Sequence, residues 1–158
     1  MLLSLTPSQF DIKNIIVSEK TKNTILTSGD FYRLYYSDES MSLNGIYIIF
    51  KLKNFIIEPY FNKIKCSFDH KHNGKVIEQL KLIESQILNS FDNKNKKVYR
   101  IEEQLSNHFI KIFSDKCVTK QNISEMDILL KISGIWYNKN EYGLTFRFFF
   151  THPLEKMQ

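Results

Sequence analysis

Two spacings of apolar residues divide the chain. Residues 11–19, 31–37, 45–53 and 63–68 are short runs, most of them rich in aromatic or β-branched side chains, in which apolar and polar positions tend to alternate. Alternation sends successive side chains to opposite faces of an extended backbone, so each run reads as a strand. Over residues 74–91 the spacing changes to three and four. Val76, Ile77, Leu80, Ile83, Ile87, Leu88 and Phe91 then form one stripe, the mark of an amphipathic helix, with Asn73 near its start. A shorter helix is expected over 101–107 and a strand over 108–113. A hairpin of 129–137 with 144–151 follows, whose loop NKNEYG holds the Asn and Gly that a bulged turn uses.

Several strands, a helix and more strands make a mainly β, α+β chain. The order fits an OB-fold-like Greek-key barrel with a helix between the third and fourth strands, and a generic α+β sandwich is the alternative. At 158 residues the chain is expected to form one domain, 1–158, with the polar segment 92–97 dividing elements inside it.

Splitting each strand by parity separates two kinds of surface. In the hairpin, Leu130, Ile132, Gly134 and Trp136 with Leu144, Phe146, Phe148 and Phe150 form an apolar set expected in the core. The opposite set is Lys131, Ser133, Ile135 and Tyr137 with Thr145, Arg147 and Phe149. Likewise Phe31, Arg33 and Tyr35 separate from Tyr32, Leu34 and Tyr36. Tyr47, Ile49, Lys51 and Lys53 separate from Ile46, Ile48, Phe50 and Leu52, and Lys63, Lys65 and Ser67 from Ile64, Cys66 and Phe68. The polar faces so defined hold Arg33, Lys51, Lys53, Lys63, Lys65, Lys131 and Arg147 and no acid. Among these cations stand Phe31, Tyr35, Tyr47, Tyr137 and Phe149. Cations neutralise phosphates, and aromatic rings stack on unpaired bases whatever their identity, whereas a duplex hides its base faces. The competing reading is structural: lysines guarding sheet edges and aromatics packing under helices.

The formal net charge of +5 favours anionic partners. The chain has no alanine and is crowded with Lys, Ile, Asn and Phe, a bias that an AT-rich coding sequence would give, so placement of the cations weighs more than their number. Two cysteines 51 positions apart, Cys66 and Cys117, give neither a disulfide framework nor zinc spacing, and point to a reducing, cytoplasmic setting. The start MLLSLTPSQF lacks the basic segment of a secretory signal, and no run approaches the ~18 apolar residues of a membrane span, so no membrane partner is expected.

Two motifs carry candidate chemistry. CSFDHKH (66–72) gathers Cys, Asp and two His, but its spacing fits no closed zinc site, and a polar turn is the simpler reading. Asp69-x-Lys71 with Glu58 resembles half of a metal-dependent nuclease site, in which a carboxylate holds the metal and the lysine orients water. No phosphate-cradling glycine loop and no Ser/His/Asp order occur, and His108 and His152 stand apart. No catalytic residue, metal or cofactor is expected.

The stretch LLKISGIWYNKNEYGLTFRF, residues 129–148, resembles the closing hairpin of replicative single-stranded DNA-binding proteins of linear cytoplasmic yeast plasmids and large DNA viruses. Lys131, Gly134, Trp136, Gly143, Leu144 and Arg147 occupy the positions of that pattern. The resemblance implies an OB-fold, no catalysis and service in replicating an AT-rich extrachromosomal or viral genome, with replication proteins as partners. The end THPLEKMQ carries no acidic tail of the kind such proteins use for recruitment. The expected function is sequence-tolerant binding of single-stranded DNA. Its bases would stack on Phe31, Tyr35, Tyr47, Tyr137 and Phe149, and its phosphates would lie on Arg33, Lys51, Lys53, Lys63, Lys65, Lys131 and Arg147. A small metal-dependent nuclease and a non-catalytic interaction subunit are the alternatives.

Overall fold

The computed structural model describes residues 3–22, 29–91, 94–114 and 116–152. Two 3-10 turns, Pro7–Gln9 and Ile12–Asn14, lead into strands β1 (Ile15–Lys22), β2 (Asp30–Ser37), β3 (Ser42–Leu43), β4 (Ile46–Tyr60) and β5 (Lys63–Phe68). Helix α1 (His70–Ser90) follows, then β6 (Lys96–Val98), α2 (Arg100–Ser106), β7 (Phe109–Phe113), β8 (Gln121–Tyr137) and β9 (Glu141–Phe150). Residues from 153, including most of the THPLEKMQ end, lie outside the described set, as do 92 and 93 of the polar segment, whose Lys96 and Lys97 belong to β6.

Five strands close a barrel. β4 pairs antiparallel with β5 and β8, β5 antiparallel with β7, and β7 parallel with β9, which returns antiparallel to β8. The fold is thus mainly β, an OB-like barrel with two helices. The N-terminal strands stand outside this ring: β2 pairs with residues 134–137 of β8, and β1 lies on its far edge. α1 leaves the barrel after its second strand, β5, and not between the third and fourth as the element order suggested. Hydrophobic spacing reports that a helix follows a strand; it does not report which strands close the ring.

The interior is filled from both sources. Ile46, Ile48, Phe50, Leu52, Ile64, Cys66, Ile110, Ile112, Leu130, Ile132 and Phe148 point inward from the barrel, and α1 covers it with Ile77, Leu80, Ile83, Ile87 and Leu88. Asp69 caps α1, accepting the His72 N–H at 2.9 Å, which starts the helix four residues before the expected position 74. Asn73 does other work. It is buried, accepts the Lys53 N–H at 2.8 Å and donates to the Lys53 carbonyl at 2.9 Å, standing in for a strand neighbour of β4.

Two irregularities change which side chains face out. At Asn54, in the left-handed region with φ 49°, the inward phase of β4 switches from even positions to Phe55 and Ile57. In β8 the register slips between Ile132 and Gly134: Ile132 opposes Phe146, but Gly134 opposes Thr145 and Trp136 opposes Gly143. Beyond this bulge Ile135 is fully buried in the core, and Tyr137 packs against it beside buried Tyr142. Trp136, expected in the core, is buried as expected, but on the outer side of the sheet and apart from the main core cluster. Tyr137, expected to stack bases, is turned inward.

Candidate nucleic-acid interface

Three neighbouring strands build one outer surface. The alternation of β7, Phe-Ile-Lys-Ile-Phe, buries Ile110 and Ile112 and leaves Phe109, Lys111 and Phe113 outside. β5 contributes Lys63 and Lys65, and β9 contributes Arg147 and Phe149. The registers set like charges directly opposite each other twice. Lys65 faces Lys111 across β5–β7, and Lys131 faces Arg147 across β8–β9. Among the described residues none of these four cations forms an ion pair. Each lies over an aromatic ring instead. Lys65 Nζ is 4.7 Å from the Phe109 centroid and Lys111 Nζ 5.4 Å from that of Tyr60. Lys131 Nζ is 5.7 Å from that of Tyr47, and the Arg147 guanidinium 4.8 Å from that of Phe113. Phe113 in turn meets Phe149 edge to face at 6.2 Å.

A groove of about 650 Å³ runs along this surface from Asn62 to Trp136. Its charged lining is Lys63, Arg100, Lys111 and Arg147 with one acid, Glu103. At its far end the Trp136 indole lies against Gly143, where an added Cβ would stand 2.8 Å from Cζ2. The exposed Arg100 guanidinium sits 4.9 Å over the ring. Arg100 opens α2, whose start is fixed from the core. Buried Glu84 of α1 accepts the N–H groups of Ile101 at 2.9 Å and Glu102 at 2.8 Å. Burial pushes the Glu84 carboxyl above its ordinary pKa, against the pull of those two donors.

The residues expected from the sequence divide into five groups. Lys63, Lys65, Lys131, Arg147, Tyr47 and Phe149 share the surface just described. Phe31 and Arg33 continue it past the bulge: Phe31 pairs with Trp136 across β2–β8 and its ring covers Gly134, while exposed Arg33 hydrogen-bonds Asn44 at 3.2 Å. Tyr35, half-buried opposite Ile16, lies beyond the stretch where β2 pairs with β8. Lys51 and Lys53 are exposed but stand opposite Asp127 and Glu125, and Lys51 ion-pairs Glu125 at 3.7 Å. Tyr137 faces inward. The acid-free polar face therefore holds only for part of the barrel, because β8 begins eight residues before position 129 and brings those carboxylates with it, and Glu58 stands opposite Lys65 on the extended β4.

Phe109, Lys111, Phe113, Tyr60, Arg100 and the outward role of Trp136 were not anticipated. Parity applied to residues 109–113 would have found the first three; Arg100 carries no periodic signal. The 66–72 cluster resolves into a helix start. Cys66 is buried in the barrel, which raises its thiol pKa, and Asp69 caps α1 while contacting the His72 ring at 2.9 Å. Those hydrogen bonds hold the Asp69 carboxyl below its usual range. Among the described residues no three His, Cys, Asp or Glu side chains converge on a common point, and no helix is long and apolar enough to cross a membrane. No family model, curated protein or solved structure matches the chain.

Proposed function

We propose that the chain is a sequence-tolerant single-stranded DNA-binding protein that lays a strand across β5, β7, β9 and the adjoining part of β8. One observation carries this reading: the like-charge pairs Lys65–Lys111 and Lys131–Arg147, interleaved with exposed or half-buried rings. Like charges directly opposite destabilise a sheet. Phosphates placed on these cations turn that repulsion into attraction and release counterions. Phe109, Phe113 and Phe149 lie between the cations, where unpaired bases can stack without regard to identity.

The finer fold assignment belongs to the same proposal. Taken as an OB-type Greek-key barrel, the ring has β5 and β7 as its second and third strands, the face on which such barrels hold oligonucleotides. The resemblance of residues 129–148 to replicative proteins of linear plasmids and large DNA viruses favours single-stranded DNA at a replication fork in the cytoplasm, in company with replication proteins. The test compares oligo(dT), oligo(U) and duplex of equal length at two salt concentrations. Tight, salt-sensitive binding of oligo(dT) with weak duplex binding is expected. Equal affinity for the duplex, or none for any of the three at low salt, would overturn the proposal.

A further inference from the structure

Trp136, the chain's single tryptophan, is buried yet stands apart from the main core cluster. It lies outside the barrel interior, one face on the Gly143 backbone and the other under an exposed guanidinium, at the end of a groove lined by Lys63, Lys111 and Arg147. Only 8% of its surface is exposed, and Arg100 lies directly over the ring. Burying an indole against the core requires no arginine. A guanidinium held over an aromatic ring offers flat stacking and phosphate recognition in one place. The groove volume falls within the ~300–1,000 Å³ of small-ligand sites.

We propose that Trp136 and Arg100 form a slot for one unpaired nucleotide of a bound strand. Arg100 swings from the indole onto the adjoining phosphate, and the base takes its place on the ring. Gly143 keeps the indole flat against β9, since any side chain there would lift it. Glu84 positions Arg100 by fixing the first turn of α2. The slot rests on the nucleic-acid reading above and adds to it a defined nucleotide site at one end of the strand path.

The test uses the full chain, following Trp136 emission while the anisotropy of end-labelled oligo(dT) reports binding independently. Emission is expected to fall in step with anisotropy, and dTMP at the same nucleotide concentration to quench far less. Trp136→Phe should keep most of the affinity and Trp136→Ala should lose about tenfold or more. Should Trp136→Ala fail to fold, exposed Arg100 serves instead. Arg100→Ala should retain the quench but lower the log–log salt slope by about 0.7. Saturable binding with unchanged Trp136 emission would overturn the slot and leave the broader function standing. Equal quenching by dTMP would overturn its assignment to a strand, and an unchanged slope in Arg100→Ala would remove Arg100 from the phosphate. Absence of any binding would overturn the underlying function, and the slot with it.

Discussion

Arg147, Phe113 and Phe149 meet at one spot on the barrel, the guanidinium 4.8 Å over one ring and the two rings 6.2 Å apart, yet they would serve a strand in different currencies. A base stacked on an aromatic is worth about 1–3 kcal/mol by alanine substitution and involves no charge. Phe149→Ala should therefore weaken oligo(dT) binding about tenfold at unchanged salt slope, whereas Arg147→Ala should lower the slope by about 0.7 per phosphate lost. Binding isotherms at four or five salt concentrations separate the two, and identical defects would show that the rings and the cation do not act separately. The same logic gives an inversion for Lys111, which faces Lys65 across the sheet. Lys111→Gln relieves a like-charge pair, so its melting temperature should hold or rise while its affinity for oligo(dT) falls. Loss of both together would mean that Lys111 supports the fold through its contacts with Tyr60 and Phe109.

α2 spans only seven residues and depends on tertiary contacts for its start, because Tyr99 at its N-cap makes no side-chain cap. Glu84 supplies the missing acceptors from the neighbouring helix. Glu84→Gln keeps one carbonyl but turns an amide NH2 toward the second backbone donor, leaving it without an acceptor at a cost of about 1–3 kcal/mol. The elevated pKa of Glu84 sets the sign of a pH effect. The folded chain holds this proton more tightly than the unfolded chain, so the contribution is full below the ordinary value of 4.5 and is lost as pH rises through the raised one. Melting temperature plotted against pH should fall through that window in the wild type and be flatter in Glu84→Gln; superimposable profiles would deny the linkage. Glu84 also shows where sequence reading stops. Within its helix stripe it looks like any solvated glutamate, and only the packing of α1 on α2 buries it. Spacing located α1, α2, β2, β5 and β7 because each keeps one period along its length, and the faces of β4 up to Lys53 and of β9 followed from parity. β8 kept no single phase. Its polar first half, QNISEMDI, is strand because β4 offers a partner, and its bulge after Ile132 exchanged the roles of Trp136 and Tyr137. Parity is blind to an inserted residue, so the most informative aromatic in the chain was assigned to the wrong side.

The molecule as a whole distributes charge unevenly around one barrel. Lys51 and Lys53 face Asp127 and Glu125 on the β4–β8 side, so that quarter offers a strand little net attraction. On the β5–β7–β9 side and the adjoining edge of β8, Lys63, Lys65, Lys111, Lys131 and Arg147 make five cations within one continuous surface, against the two acids Glu58, opposite Lys65, and Glu103, on the groove. Five phosphates on these cations at roughly 0.7 each, with a sixth on Arg100, predict a log–log salt slope of about −4.2 for a single strand. The division can be tested by neutralising a lysine pair on each side in turn. Lys51→Gln combined with Lys53→Gln should leave the slope near its wild-type value, because both lysines are already answered by carboxylates. Lys65→Gln combined with Lys111→Gln should lower it by about 1.4, two phosphates' worth. Circular dichroism melts on both double variants confirm that each is folded before its slope is read. If the Lys51/Lys53 pair changes the slope as much as the Lys65/Lys111 pair, the strand wraps the whole barrel and the groove beside Trp136 is not its path. If neither changes it, the strand's phosphates lie on neither pair, and the aromatic rings on β7 and β9 are packing.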